Sequence, residues 1–170
     1  MKRALVALTV IALALGVAAP PSFGATSEPY SFDFDFSDTI DCSSFNPAWT
    51  FNDDFHDFFQ VRGRVWFDDE GEPIRDIGHF FHRSNDVNSV TGFTLHEHNH
   101  YVVVIDFVQG TITQNGAINI MQLPGTGSVI LNVGHKVFEF DFETGQPGTP
   151  IALAGPNRAD DEDFCRAVAP

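Results

Sequence analysis

The chain has 170 residues, and 23 acidic against nine basic side chains give it a formal charge of −14 with histidine neutral. A surface this acidic repels phosphate backbones and anionic lipid heads, which excludes nucleic acid as a partner. The length is that of one ordinary domain, and 18 phenylalanines are available to fill its core.

The first 25 residues read as a targeting segment. Lys2 and Arg3 precede an apolar run from Ala4 to Ala19, then Pro20-Pro21 and the small residues Ser22, Gly24 and Ala25. That pattern is a secretory signal peptide over residues 1–25, too short and wrongly flanked for a stable membrane span. Its removal leaves residues 26–170 as a single secreted domain with no membrane insertion. The loss of Lys2 and Arg3 deepens the formal charge from −14 to −16. Cys42 and Cys165 are the two cysteines. In an oxidising compartment they are expected to form one structural disulfide.

From Tyr30 to Phe36, Phe32, Phe34 and Phe36 alternate with Ser31, Asp33 and Asp35, the period-two pattern of a half-buried strand. Phe59 to Phe67 alternates again. Phe59, Val61, Val65 and Phe67 make the better core face, which turns Arg62 and Arg64 outward to pair with surface acids. Asp68-Asp69-Glu70-Gly71 reads as a turn. Ile74 to Arg83 is the next strand, Ser84 to Asn88 the next turn, and Ser89 to His96 a strand bent at Gly92. Four further strands are expected at Tyr101 to Val108, Thr111 to Leu123, Ser128 to Val133 and Lys136 to Glu143. Asn115-Gly116 is either a hairpin turn or a glycine kink within one strand. Thr149 to Ala154 is a short strand, and Asp160 to Ala169, with acids in its first turn, a terminal helix.

About eight strands in up-and-down order with no long internal helix predict an all-β antiparallel meander. Closure as a barrel would remove the exposed edges, and a β-sandwich is the alternative. Pro124-Gly125-Thr126-Gly127-Ser128-Val129, Leu131-Asn132-Val133-Gly134, Val137-Phe138, Thr144-Gly145, Ala154-Gly155-Pro156 and Asp163-Phe164-Cys165 resemble a group of small secreted actinobacterial proteins of unknown function. The resemblance implies a calycin-type or allene-oxide-cyclase-type barrel and carries no catalytic residue with it.

The chemistry-bearing cluster is His96-Glu97-His98-Asn99-His100. If Glu97 to Asn99 turn a hairpin, His96 and His100 face each other and could pinch a divalent transition metal, zinc or copper. On one straight strand His96, His98 and His100 share a side, but the outer two stand roughly 13 Å apart. A barrel cavity would be lined by His79, Phe81 and Tyr101 and would take a small apolar ligand. No nucleophile motif, phosphate-cradling loop or paired carboxylate in an apolar strand is present. The residues therefore point to a secreted protein that binds a small apolar ligand or a partner without catalysis. The alternatives are a barrel enzyme of isomerase or cyclase type, and an extracytoplasmic metal binder using the histidine cluster. Oligomeric state is not encoded in these patterns.

Overall fold

The structure is a computed structural model that describes residues 26–123 and 125–169, Arg158 by its backbone alone. The signal-peptide expectation lies outside the described residues. Eight strands and one helix follow in order: β1 Thr26–Asp41, β2 Asn52–Phe67, β3 Pro73–Asn88, β4 Thr94–Asp106, β5 Thr111–Leu123, β6 Gly127–Asp141, β7 Gln146–Ala154, β8 Asn157–Arg158 and α1 Asp161–Val168. A single 3-10 turn, Cys42–Ser44, follows β1. No helix among the described residues is long and apolar enough to cross a membrane.

The strands form one antiparallel sheet in the order β1 to β7, with β8 beside β6. Among the described residues no ladder joins β1 to β7, so the expected barrel closure is corrected: the sheet is open. It nevertheless folds over on itself, which fits the sandwich alternative. Phe32, Phe34 and Phe36 of β1 and Phe138 and Phe140 of β6 pack against the same cluster, built by Phe59, Val61, Phe80, Tyr101, Val103, Ile105 and Ile112. Burying these side chains against one another supplies most of what folds this half of the molecule.

The strands are fewer and longer than the sequence reading expects. Ser84 to Asn88 is not a turn but the end of β3, and Glu97 to Asn99 is not a turn but the middle of β4. Both stretches are polar because their alternate residues point into the protein: Ser84, Asp86, Asn88, Glu97 and Asn99 are all buried. The strand expected over Ser89 to His96 is a turn until Thr94. Gly134-His135 does not divide β6 either. Gly116 and Gly134 pair across β5 and β6, both at positive φ, so Asn115-Gly116 is a kink within a strand. Arg62 and Arg64 do face outward.

A second apolar cluster holds the disulfide. Cys42 is bonded to Cys165, and both pack with Phe51, Leu95, Met121, Ile130, Phe164, Ala167 and Val168. Helix α1 is capped by Asp160, whose carboxylate accepts from Asp163 N while Asp163 reciprocates, a capping box. Asn88 Nδ2 donates to Val168 O over 3.1 Å and ties the helix end to β3. Because the bond spans a sequence separation of 123, its removal frees a large loop in the unfolded chain. Replacing both cysteines by alanine should cost about 2–5 kcal/mol of stability in a urea titration. A loss under about 1 kcal/mol would contradict the structural role.

At the far end of the first cluster, Tyr30 reaches over two glycines to Asp76. Its hydroxyl donates to the carboxylate at 2.9 and 3.1 Å. A Cβ on Gly63 would meet the Tyr30 ring at 2.3 Å, so alanine there has no room. Burial pushes Asp76 up to about 6 from its ordinary 3.8, against the pull of the Tyr30 hydroxyl and the Ile77 amide. The folded chain thus keeps a proton that the unfolded chain releases between about pH 4 and 6. This carboxyl costs stability progressively as pH rises through that window, on the order of 3 kcal/mol when complete. Asp76→Asn should flatten that part of the slope in urea midpoints measured at pH 4 and pH 7. An unchanged slope would contradict the assignment.

Candidate functional site

Strand alternation puts two chemically different surfaces on the two sides of β2, β3 and β4. The register fixes what meets on each. On the inner face Asp57 pairs with Ser84 and Ser84 with Glu97; one row along, Phe59 pairs with His82 and His82 with Asn99. On the outer face Arg62 pairs with His79 and His79 with Val102, while Gln60 pairs with Phe81 and Phe81 with His100.

The inner rows make a polar belt between the two apolar clusters. His82 is its centre. Its ring stacks on Phe59 with centroids 4.3 Å apart. Its Nε2 lies 3.2 Å from Asp57 Oδ1, and its Nδ1 lies 3.6 Å from Glu97 Oε1 and 3.2 Å from Asn99 Nδ2. Asp57 and His82 are 3% exposed and Glu97 1%. Burial pushes Glu97 up to about 7, with His82 pulling it down, Asp86 and Asp57 pushing it further and the Asn99 amide pulling it down. The belt continues across the sheet. Asn119 Nδ2 donates to Glu97 Oε1 over 3.3 Å, and Asn132 Nδ2 donates to Asn119 Oδ1 over 3.4 Å. The Lys136 amine donates to Asn132 Oδ1 and, over 2.7 Å, to Asn157 Oδ1. Burial holds that amine below its usual range.

The outer face carries the residues that the sequence singles out. His79, Phe81, His96, His98 and His100 are all exposed. The Phe81 ring stacks on His100 with centroids 4.6 Å apart, and His79 stacks on His100 at 5.8 Å. Arg83 lies over the Phe58 ring, 4.8 Å from its centroid. Arg62, Arg64, Arg75 and Arg83 are exposed on the same face. Among the described residues, none of these four guanidiniums makes an ion pair, so the expected pairing with surface acids is corrected. Arg64 instead donates to Ser27 Oγ over 2.7 Å and Arg62 to Gln60 Oε1 over 3.4 Å.

Two sequence expectations are revised by this placement. Tyr101 is buried in the first cluster while His79 and Phe81 face out, so the three do not line one cavity. An open pocket of about 200 Å³ does exist beside the disulfide cluster, but it is lined by Trp49, Phe51, Asn88, Val90 and Thr91. The hairpin that would bring His96 to His100 is absent because β4 runs straight through. His96 instead bonds through Nδ1 to Asn85 Oδ1 at 2.5 Å. Among the described residues, the group of three potential ligand atoms within 4.8 Å of one another is Asp57, His82 and Glu97. Sequence reasoning missed it because its members lie on three strands. The signal that was available is the alternation itself: His82, Ser84, Asp86 and Asn88 share one face of β3 with Phe80. No protein-family model, curated protein or solved structure matches this chain.

Proposed function

We propose that the chain is an exported, non-catalytic binding protein whose outer face on β2, β3 and β4 docks an acidic segment of a partner protein. The observation that carries this reading is the set of four exposed guanidiniums without an ion pair in a chain that has 23 acidic residues. Asp106 stands opposite Arg75 across β4 and β3, and Asp33 and Asp35 stand opposite Gln60 and Phe58 across β1 and β2, yet among the described residues none of these acids closes an ion pair with the four arginines. Arginine and aromatic side chains are enriched where protein interfaces concentrate their energy, and aspartate and glutamate are depleted there. Arg62, Arg64, Arg75, Arg83, Phe58 and Phe81 have that composition. Along β2 the patch runs from Trp66 to Phe58, roughly 27 Å, the length of an extended peptide of about eight residues. Guanidinium forks then take the partner's carboxylates two oxygens at a time.

Export is supported by the leader-like composition of the first 25 residues and is compatible with the disulfide. The turn motifs of the second half support a place among the small secreted actinobacterial proteins that the chain resembles.

A fluorescein-labelled oligoglutamate peptide is the probe. Fluorescence anisotropy should report saturable binding at about 0.15 M salt, where a Debye length of about 8 Å screens the repulsion of the chain's distant acids while contacts at the patch persist. The double variant Arg62→Glu/Arg83→Glu should weaken it at least tenfold, while Arg166→Glu, on the helix, should not. Equal affinity of wild type and the double variant, or no binding by wild type, would overturn the proposal.

A further inference from the structure

Four histidines lie among the arginines of the outer face, and the register places each of them. His98 pairs with Arg83 across β4 and β3, His100 with Phe81 and His96 with Asn85. His79 pairs with Arg62 on β2 and with Val102 on β4. His79 and His100 therefore stand diagonally, which lets their rings stack with centroids 5.8 Å apart. All four histidines are exposed. Because β4 is straight, His96 and His100 stand roughly 13 Å apart, too far for the run to hold one ion. Acids are remote from these imidazoles. Asp33 and Asp35 belong to β1, two strands from His79 and three from His98 and His100, roughly 10 and 14 Å at the spacing of neighbouring strands. Asp106 stands at the far end of β4, opposite Arg75. Glu97 and His82 alternate with the outer residues along β4 and β3 and point to the other side of the sheet. Among the described residues none of the four makes an ion pair, whereas His56, further along β2, has its Nε2 3.8 Å from Asp35. The charged groups that face His79, His98 and His100 are therefore Arg62, Arg83 and one another.

A histidine side chain gains its positive charge between about pH 8 and pH 5. On this face each proton arrives beside a charge of the same sign. Protonated His98 stands directly opposite Arg83 and protonated His79 opposite Arg62, and like charges opposed across a sheet repel. An anionic segment laid over β2, β3 and β4 relieves that repulsion, because its carboxylates lie among the cations. Binding and protonation then favour each other, and the coupling is reciprocal: protons tighten the partner's hold by the factor by which the partner tightens theirs. A second effect acts in the same direction. Protonating all seven histidines takes the formal charge from −14 to −7, so the whole chain repels an acidic partner less. We infer that docking on the outer face is gated by pH: His79, His98 and His100 take up protons as an acidic segment binds, and the complex tightens as pH falls from 7.5 to 5.5. This gate rests on the reading of the same face as a dock for an acidic partner, and it supplies the regulation of that dock.

The test measures the affinity of an oligoglutamate peptide at pH 7.5 and pH 5.5, both at about 0.15 M salt. The peptide carries tetramethylrhodamine, whose emission is steady over this range, and glutamate, which titrates at about 4.3, stays largely ionised at both values. The wild type should bind at least about tenfold more tightly at pH 5.5. In His79→Gln/His98→Gln/His100→Gln, whose side chains stay polar but take no proton, the gain should fall below about threefold. Glu97→Gln removes the buried carboxyl that titrates at about 7, and it should keep the full gain. Near-ultraviolet circular dichroism at both pH values establishes that each protein is folded. Binding at pH 7.5 that needs Arg62 and Arg83 but does not tighten at pH 5.5 would overturn the gate and leave the dock standing. A gain that survives in the triple histidine variant, or one that is lost in Glu97→Gln, would also overturn the gate alone. No saturable binding by the wild type at either pH would overturn dock and gate together.

Discussion

Charge buried on the inner face of β2, β3 and β4 is the constraint that the rest of this structure accommodates. An ionised carboxylate withdrawn from water costs several kcal/mol unless its hydrogen bonds and a counter-charge are supplied. Here the supply crosses five strands, from Lys136 on β6 through Asn132, Asn119 and Glu97 to His82 and Asp57 on β2. Such a chain specifies register, because a one-residue slip would turn every member to solvent and every outward arginine inward. The apolar clusters on either side are what make that slip costly.

Those two clusters perform different tasks. The phenylalanine-rich one brings β1 and β6 onto a common core although they stand five places apart in the sheet. It therefore folds the open sheet over without ladder closure. The other cluster gathers the disulfide, the start of β4 and helix α1, and it shuts the far side of the belt. Asn88 belongs to both worlds: it lies buried at the end of β3 and donates to the carbonyl of Val168. The covalent tie between Cys42, just after β1, and Cys165, in α1, restricts the unfolded state from within that apolar cluster.

Much of the architecture is legible in the residues. Phe32, Phe34 and Phe36 announce a strand with one wet face, and Asp160 to Asp163 announce a helix start. The pairing of Cys42 with Cys165 follows from their number and the expected compartment. Turns at Ser84–Asn88 and Glu97–Asn99 were misplaced for one physical reason: polar residues signal turns only where polar means solvent-facing. In both stretches alternate polar side chains are buried, so the belt looks like a loop until the strands are paired. The same effect hid the site. His96, His98 and His100 are conspicuous as a run, but a straight strand spaces them apart on the surface. His82, Asp57 and Glu97 are far apart in sequence and adjacent in space. Openness of the sheet was equally invisible, since a meander of this rhythm fits a closed barrel, a sandwich or an open curl.

The most direct measurement is the titration of the Glu97 carboxyl in the folded chain, followed by carbon NMR of the glutamate side chains from pH 4 to pH 9. Burial of charge on the inner face predicts a carboxyl that titrates at about 7 and is missing from Glu97→Gln. A Glu97 carboxyl that titrates at its ordinary 4.5 would contradict it.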